Sequence, residues 1–379
     1  MELRAYLVAH YFNRSSELWL ARIRDAMQQY ICGDAYFDTS GSTSSNTLSL
    51  MRQWWSLVRK TRLTDDFIFA PPRRRALVSS VRGARANLVY CHYVNLATRL
   101  DSCWRSLRTP LAVHCHGYDV TFDLKNAKGR RRYSDGYLQR VVRLSQYSHM
   151  IANSDFTRHR LIEHGIAEDR VTTWYFGVPI TRTATRVSTD LVHFLYLGRF
   201  VGFKGPIETL RAFALAVSRG LRARLVMAGG GTLFNECRNL AIRLRVDHLV
   251  DFPGVVSAAQ GAKLFGESHV FTAHTRQDPV TNQCEAFGVA FAEALGAGLP
   301  VVTGRHAGPS TFLSHEHNSL LFPPGDIDAH AESLMRIAND SELRSQLSQN
   351  AIATAAMRFD PDKQHAILID LLSRIARAG

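Results

Sequence analysis

The feature that most restricts this chain is an alternation of short apolar runs with longer stretches of helical spacing. In the first half the runs lie at 3–9, 88–93, 111–115 and 149–152, with a helical pattern near 16–30. The second half repeats the scheme at 192–197, 223–228, 249–252, 269–272 and 300–303. Strands alternating with helices predict parallel sheets covered by helices. Residues 179–190, PITRTATRVSTD, have linker composition. With 379 residues and 46% hydrophobic content, at roughly 100–200 residues per domain, two α/β domains facing each other across a cleft are expected. Their predicted spans are 1–180 and 188–358, with an amphipathic helix at 359–379 packing back on the first domain.

Several classes fall away. No uninterrupted apolar run reaches the roughly 18 residues of a membrane span, and Met-Glu-Leu-Arg lacks the layout of a secretion signal. A cytoplasmic protein is expected. The six cysteines are scattered without a CxxC pair, which predicts reduced thiols rather than a zinc ribbon or a disulfide framework. The net charge of +13 is uneven: residues 1–185 carry 27 Lys and Arg against 15 Asp and Glu, and the remainder 19 against 18. The first half therefore suits an anionic partner such as phospholipid or lipid pyrophosphate, or else is simply a soluble basic surface. No RNP, zinc-finger or basic-zipper signature supports nucleic acid, and none is expected as a partner.

Chemistry-bearing residues fall at the ends of the apolar runs. His10, His116 and Asn153 close three runs of the first half, and ligands of open α/β sheets bind at the carboxyl ends of strands. In HFLYLGRFVGFKG (193–205), Arg199 and Lys204 stand among Gly198, Gly202 and Gly205 after a strand, where two cations suit a diphosphate; a solvated basic turn is the competing reading. In CEAFGVAFAEALGAGLPVV (284–302), Glu285 precedes a helix and Glu293 rides on it, before Gly298 and Pro300 stop it. His114 and His116 share a strand face at a metal-like spacing, but no third ligand is near in sequence, so a metal site is not expected; for His116 a satisfied core histidine is the competing reading. Residues 48–62, LSLMRQWWSLVRKTR, set Met51, Trp54, Trp55 and Val58 on one helical face and Arg52, Ser56, Arg59 and Lys60 largely on the other. Such a helix suits either a membrane interface or a core.

The strings GRFVGFKG, RLVMAGGG and EAFGVAFAEALGAGLPVVTGRHAGPSTFL together resemble the retaining GT-B glycosyltransferases of glycosyltransferase family 4, whose E-x7-E signature matches Glu285 and Glu293. More loosely, LAVHCHGYDV (111–120) is similar to the family's HGxD region, ANSDFTRHRLIEHGI (152–166) to its segment with a serine after a strand, here Ser154, and YFNRSSELW (11–19) to its Ser-Glu approach to the first helix. The resemblance implies roles. Glu285 would accept hydroxyls of the donor sugar, and backbone N–H groups near Phe287, Gly288 and Val289 would face that sugar and the diphosphate. Glu293 would hold the ribose. Arg199 and Lys204 would neutralise the departing diphosphate, and His116 would stand beside the reactive carbon.

The implied activity is transfer of a hexose-type sugar, with retention, from a nucleoside diphosphate sugar to a glycan or lipid-linked saccharide. No cofactor and no metal is implied. Reversible attachment to an anionic membrane would bring the acceptor within reach. A sugar-nucleotide 2-epimerase of the same architecture, and a glycan-binding relative without catalysis, are the alternatives. Two departures stand out: the first strand lacks the Gly-Gly pair of many members, and Ser310 replaces a common glutamate after Gly-Pro.

Overall fold

The computed structural model describes residues 2–10, 18–37, 71–180 and 191–378. The helix expected at 48–62, the segment around Asn13 to Glu17 and the linker from 181 to 190 lie outside the described residues.

Among the described residues, two six-stranded sheets form the frame. The first contains β1 (Ala5–Ala9), β2 (Ile31–Tyr36), β3 (Leu88–His92), β4 (Leu111–Cys115), β5 (His149–Ala152) and β6 (Val171–Thr173), in the order β2-β1-β3-β4-β5-β6. The second contains β7 (Val192–Leu197), β8 (Ala223–Ala228), β9 (Val250–Gly254), β10 (Val270–Ala273), β11 (Val301–Gly304) and β12 (Ser319–Phe322), in the order β12-β11-β10-β7-β8-β9. Every pair of neighbouring strands is parallel. Every residue of β1, β3 and β4 is buried, as a parallel sheet covered on both faces requires.

Three strands were not expected. β2, Ile-Cys-Gly-Asp-Ala-Tyr, is a half-buried edge strand weakened by Gly33 and Asp34; β6 has only three residues; and β12 follows β11 after a long connection.

The final helix, Pro361–Ala378, returns to the first sheet, contacting β3 and β4. Trp174 Nε1 donates to the Gln364 carbonyl at 2.7 Å, and Val178 N to the Phe359 carbonyl at 2.9 Å. One apolar core consequently runs from Leu7, Leu88 and Tyr90 through Trp174 into the second domain. A separate core fills the other face of the first sheet. Among the described residues, no helix is long and apolar enough to cross a membrane.

Candidate active site

The order of the second sheet reverses between β7 and β10, and such a switch point opens a crevice at the strands' carboxyl ends. A cleft of about 880 Å³ lies there, with walls from both domains. Its floor is glycine by necessity. Gly229, with φ of +133°, sits where a Cβ would lie 1.9 Å from the Gly198 carbonyl oxygen, so the loops after β7 and β8 touch backbone to backbone.

Arg199 and Lys204 both line the cleft. Tyr196 Oη donates to the Arg199 carbonyl at 2.9 Å, and the Arg199 guanidinium lies 5.6 Å from the Phe203 ring. Lys204 ends a short 3₁₀ turn, Gly202–Lys204, and its Nζ is paired with the Glu285 carboxylate. With only 15% and 12% of the two side chains exposed, that pair is largely withdrawn from solvent. The basic turn is therefore a wall of the cleft, not a solvated loop.

Glu285 belongs to a loop fixed on both sides. Gly308 N donates to the Glu285 carbonyl at 2.8 Å, and Ser154 Oγ of the first domain donates to the Ala286 carbonyl at 2.5 Å. Gly117, at φ of +109°, completes the clamp: a Cβ there would stand 2.2 Å from the Ala286 Cβ. Phe287 is buried in the core, Gly288 takes a left-handed conformation at φ of +88°, and Val289 begins the helix Val289–Gly296. Residues 287–289 all line the cleft, so the helix N-terminus, with its unsatisfied N–H groups, offers an anion site. One turn on, Glu293 accepts from Arg22 Nη1 at 3.0 Å. Burial raises the pKa of this carboxyl and Arg22 partly offsets it. Arg22, on the helix Leu18–Ala26, is a cleft residue that the sequence did not disclose.

Across the cleft stand Tyr93, His116, Tyr118 and Asn153. His116 lies just beyond β4, and its ring packs 4.4 Å from Tyr93 and 6.1 Å from Phe176. His10, the third strand-end residue, packs 5.5 Å from Tyr93. A fully buried carboxylate, Asp119, organises this wall by accepting from Val94 N and His116 N, both at 2.9 Å. It thereby ties the loop after β3 to the loop after β4. Burial pushes its pKa up to about 6 against the opposing effect of the amides. Tyr93, held between those loops, has φ of +74° and ψ of 120°, a backbone conformation rare for a bulky side chain and characteristic of functional sites.

The third imidazole that the spacing of His114 and His116 lacked comes from the neighbouring strand. One ring nitrogen from each of His92, His114 and His116 lies within 4.8 Å of the other two. His92 is 22 residues before His114 in sequence but directly beside it in register. Burial lowers all three pKa values, that of His92 to about 3. The rings thus stay neutral at ordinary pH.

Two Rossmann-like domains that face each other across a cleft define an α/β architecture of the GT-B type. Comparison with known proteins agrees: residues 180–354 match the family model for glycosyl transferases group 1, and residues 51–182 that for glycosyltransferase family 4. Together the two matches run from residue 51 to residue 354, so the chain is similar to family-4 glycosyltransferases in both of its domains. It is 30% identical over 248 residues to a D-inositol 3-phosphate glycosyltransferase of Saccharomonospora viridis, covering 60% of this chain and 56% of that protein. It is 28% identical over 196 residues to the lipopolysaccharide core biosynthesis glycosyltransferase LpsD of Rhizobium meliloti, covering 52% and 53%. The chain thus spans about half the length of these curated relatives. The crystal structure of Anabaena HepE in complex with UDP superposes with a TM-score of 0.76, at 17% identity, over 98% of this chain and all of that one.

Proposed function

We propose that the protein transfers a sugar from a nucleoside diphosphate sugar to a glycan or lipid-linked saccharide, with retention at the anomeric carbon and without a metal. The observation that carries this reading is the convergence in one cleft of the Lys204–Glu285 pair, the N-terminus of the helix Val289–Gly296 and Glu293, opposite His116.

In this reading the ribose hydroxyls donate to Glu293 and the diphosphate lies between Arg199, Lys204 and the N–H groups at 287–289. Glu285 accepts hydroxyls of the donor sugar. As the bond from the anomeric carbon to the phosphate oxygen breaks, charge grows on the diphosphate, where two cations and a helix N-terminus stand ready. The acceptor oxygen bonds to that carbon on the same face, and its proton passes to the departing phosphate oxygen. Asp119 is withdrawn from the role of nucleophile, being buried and occupied by two backbone amides. His116, half-buried beside the sugar position, supports the ring as positive charge develops.

UDP is the first nucleotide to test, because the Anabaena protein holds it. The basic first half and the Saccharomonospora relative, named for a phosphorylated acceptor, favour an anionic acceptor. We place the protein in the cytoplasm, with reversible attachment to an anionic membrane. The test is a panel of UDP-, GDP- and ADP-sugars, each with lipid-linked and inositol phosphate acceptors, followed by proton NMR of the product's anomeric signal. Transfer with retained configuration supports the reading. Accumulation of a free epimer, or no turnover of any donor, overturns it.

A further inference from the structure

A line of polar rings runs from the cleft wall into the first domain. His92 stands at the end of β3, beside His114 in β4, and both are completely buried. His116, two residues beyond His114, places Nε2 3.2 Å from His92 Nδ1, with the two rings inclined by 23°. On the far side, Tyr90 Oη is hydrogen-bonded to His114 Nδ1 at 2.7 Å.

We infer that His92 is a positioning residue for the transfer reaction, fixing the ring orientation of His116 and tying its tautomer to that of His92 through the bond between His92 Nδ1 and His116 Nε2. The inference rests on the reading that His116 stands beside the donor sugar. A neutral imidazole carries one N–H and one lone pair, so whichever role Nε2 of His116 takes toward His92, its Nδ1 takes the other. The two rings therefore share one tautomer, both protonated at Nδ1 when His92 donates or both at Nε2 when His116 donates. Burial holds both neutral, so neither ring gains a second proton that would abolish the distinction. Tyr93 and Phe176 confine the ring by packing against it, but ring packing does not choose a tautomer. The hydrogen bond ties it to that of His92.

Substitutions at His92 distinguish this role from space filling. Asn sets its amide near the position of Nδ1, Gln sets its amide near Nε2, and Leu supplies volume alone. His92→Leu and His92→Gln are expected to lower kcat roughly tenfold with the donor KM little changed, and His92→Asn to restore most of it. In a His116→Ala background, His92→Leu should cost nothing further, because the two residues act as a unit. Independently of turnover, nitrogen-15 spectra of histidine-labelled protein should show His92 and His116 in the same tautomer in the wild type and a changed His116 tautomer population in His92→Leu.

Equal effects of Leu, Gln and Asn, additive losses in the double variant, or an unchanged His116 tautomer would each overturn the inference. So would a stoichiometric metal in the purified protein that His92→Leu removes, since Nδ1 would then be a ligand. Wild-type turnover in His116→Ala would instead remove His116 from the reaction while leaving the tautomer measurement valid.

Discussion

Arg22 of the first domain and Glu293 of the second are ion-paired at 3.0 Å across the cleft, 271 positions apart in sequence. The proposed ribose site is thus already occupied by a cation. With 35% and 21% of the side chains exposed, the pair contributes little by itself, about 0–1 kcal/mol. Glu293→Ala should weaken nucleoside diphosphate binding roughly tenfold or more, as expected for lost charged hydrogen bonds. Arg22→Ala should leave affinity equal or slightly tighter, since it frees the acceptor. Calorimetry on both variants checks this, and equal losses would place Arg22 on the nucleotide instead.

Arg199→Ala and Lys204→Ala should each cost binding of the diphosphate and spare the free nucleoside, because their proposed partner is absent from uridine, guanosine and adenosine. A competition series of nucleoside, monophosphate and diphosphate measures it. An unchanged diphosphate affinity in both variants would take the two cations out of the site.

Gly117→Ala should lower turnover while leaving each domain folded. The added methyl meets Ala286 across the cleft, and the positive φ disfavours any side chain there, a strain of about 1–3 kcal/mol. The closed contact between the His116 and Glu285 loops would open. Donor kcat together with small-angle scattering of the variant tests this; wild-type turnover would show that the contact is dispensable.

Stability should fall on acidification. His92, His114 and His116 are buried neutral with pKa values below the unfolded 6.5, so below pH 6.5 the unfolded chain binds protons that the folded chain excludes, for His92 down to about pH 3. Asp119 opposes them: its folded value of about 6 exceeds 3.8, so its contribution is present in acid and is lost as pH rises through 6. Three histidines outweigh one carboxyl, at up to about 1.4 kcal/mol per group and pH unit. Urea midpoints should therefore drop from pH 7 to pH 5, more steeply in Asp119→Asn and less so in His92→Asn. A flat profile would contradict the burial of these groups.

Much of the frame was legible because parallel strands are buried on both faces and announce themselves as unbroken apolar runs, as in Leu111–Cys115. The strand β2 was hidden because an edge strand is half-exposed and tolerates Gly33 and Asp34. The spacing of Glu285 and Glu293 was visible within one local segment. Arg22, Asp119 and His92 were not, because their roles depend on strand register and domain apposition, which separate their partners widely in sequence. A histidine closing an apolar run, as His92 closes β3, was the one signal that could have marked the third imidazole.

Transfer of a sugar from a nucleoside diphosphate in this cleft is measured by nucleoside diphosphate release from the donor selected in the panel, for wild type and Glu285→Ala at saturating donor and acceptor. Glu285 contacts should strengthen as the glycosidic bond breaks, so kcat should fall about a hundredfold or more while nucleotide affinity stays near wild type. Wild-type turnover in Glu285→Ala would contradict the account.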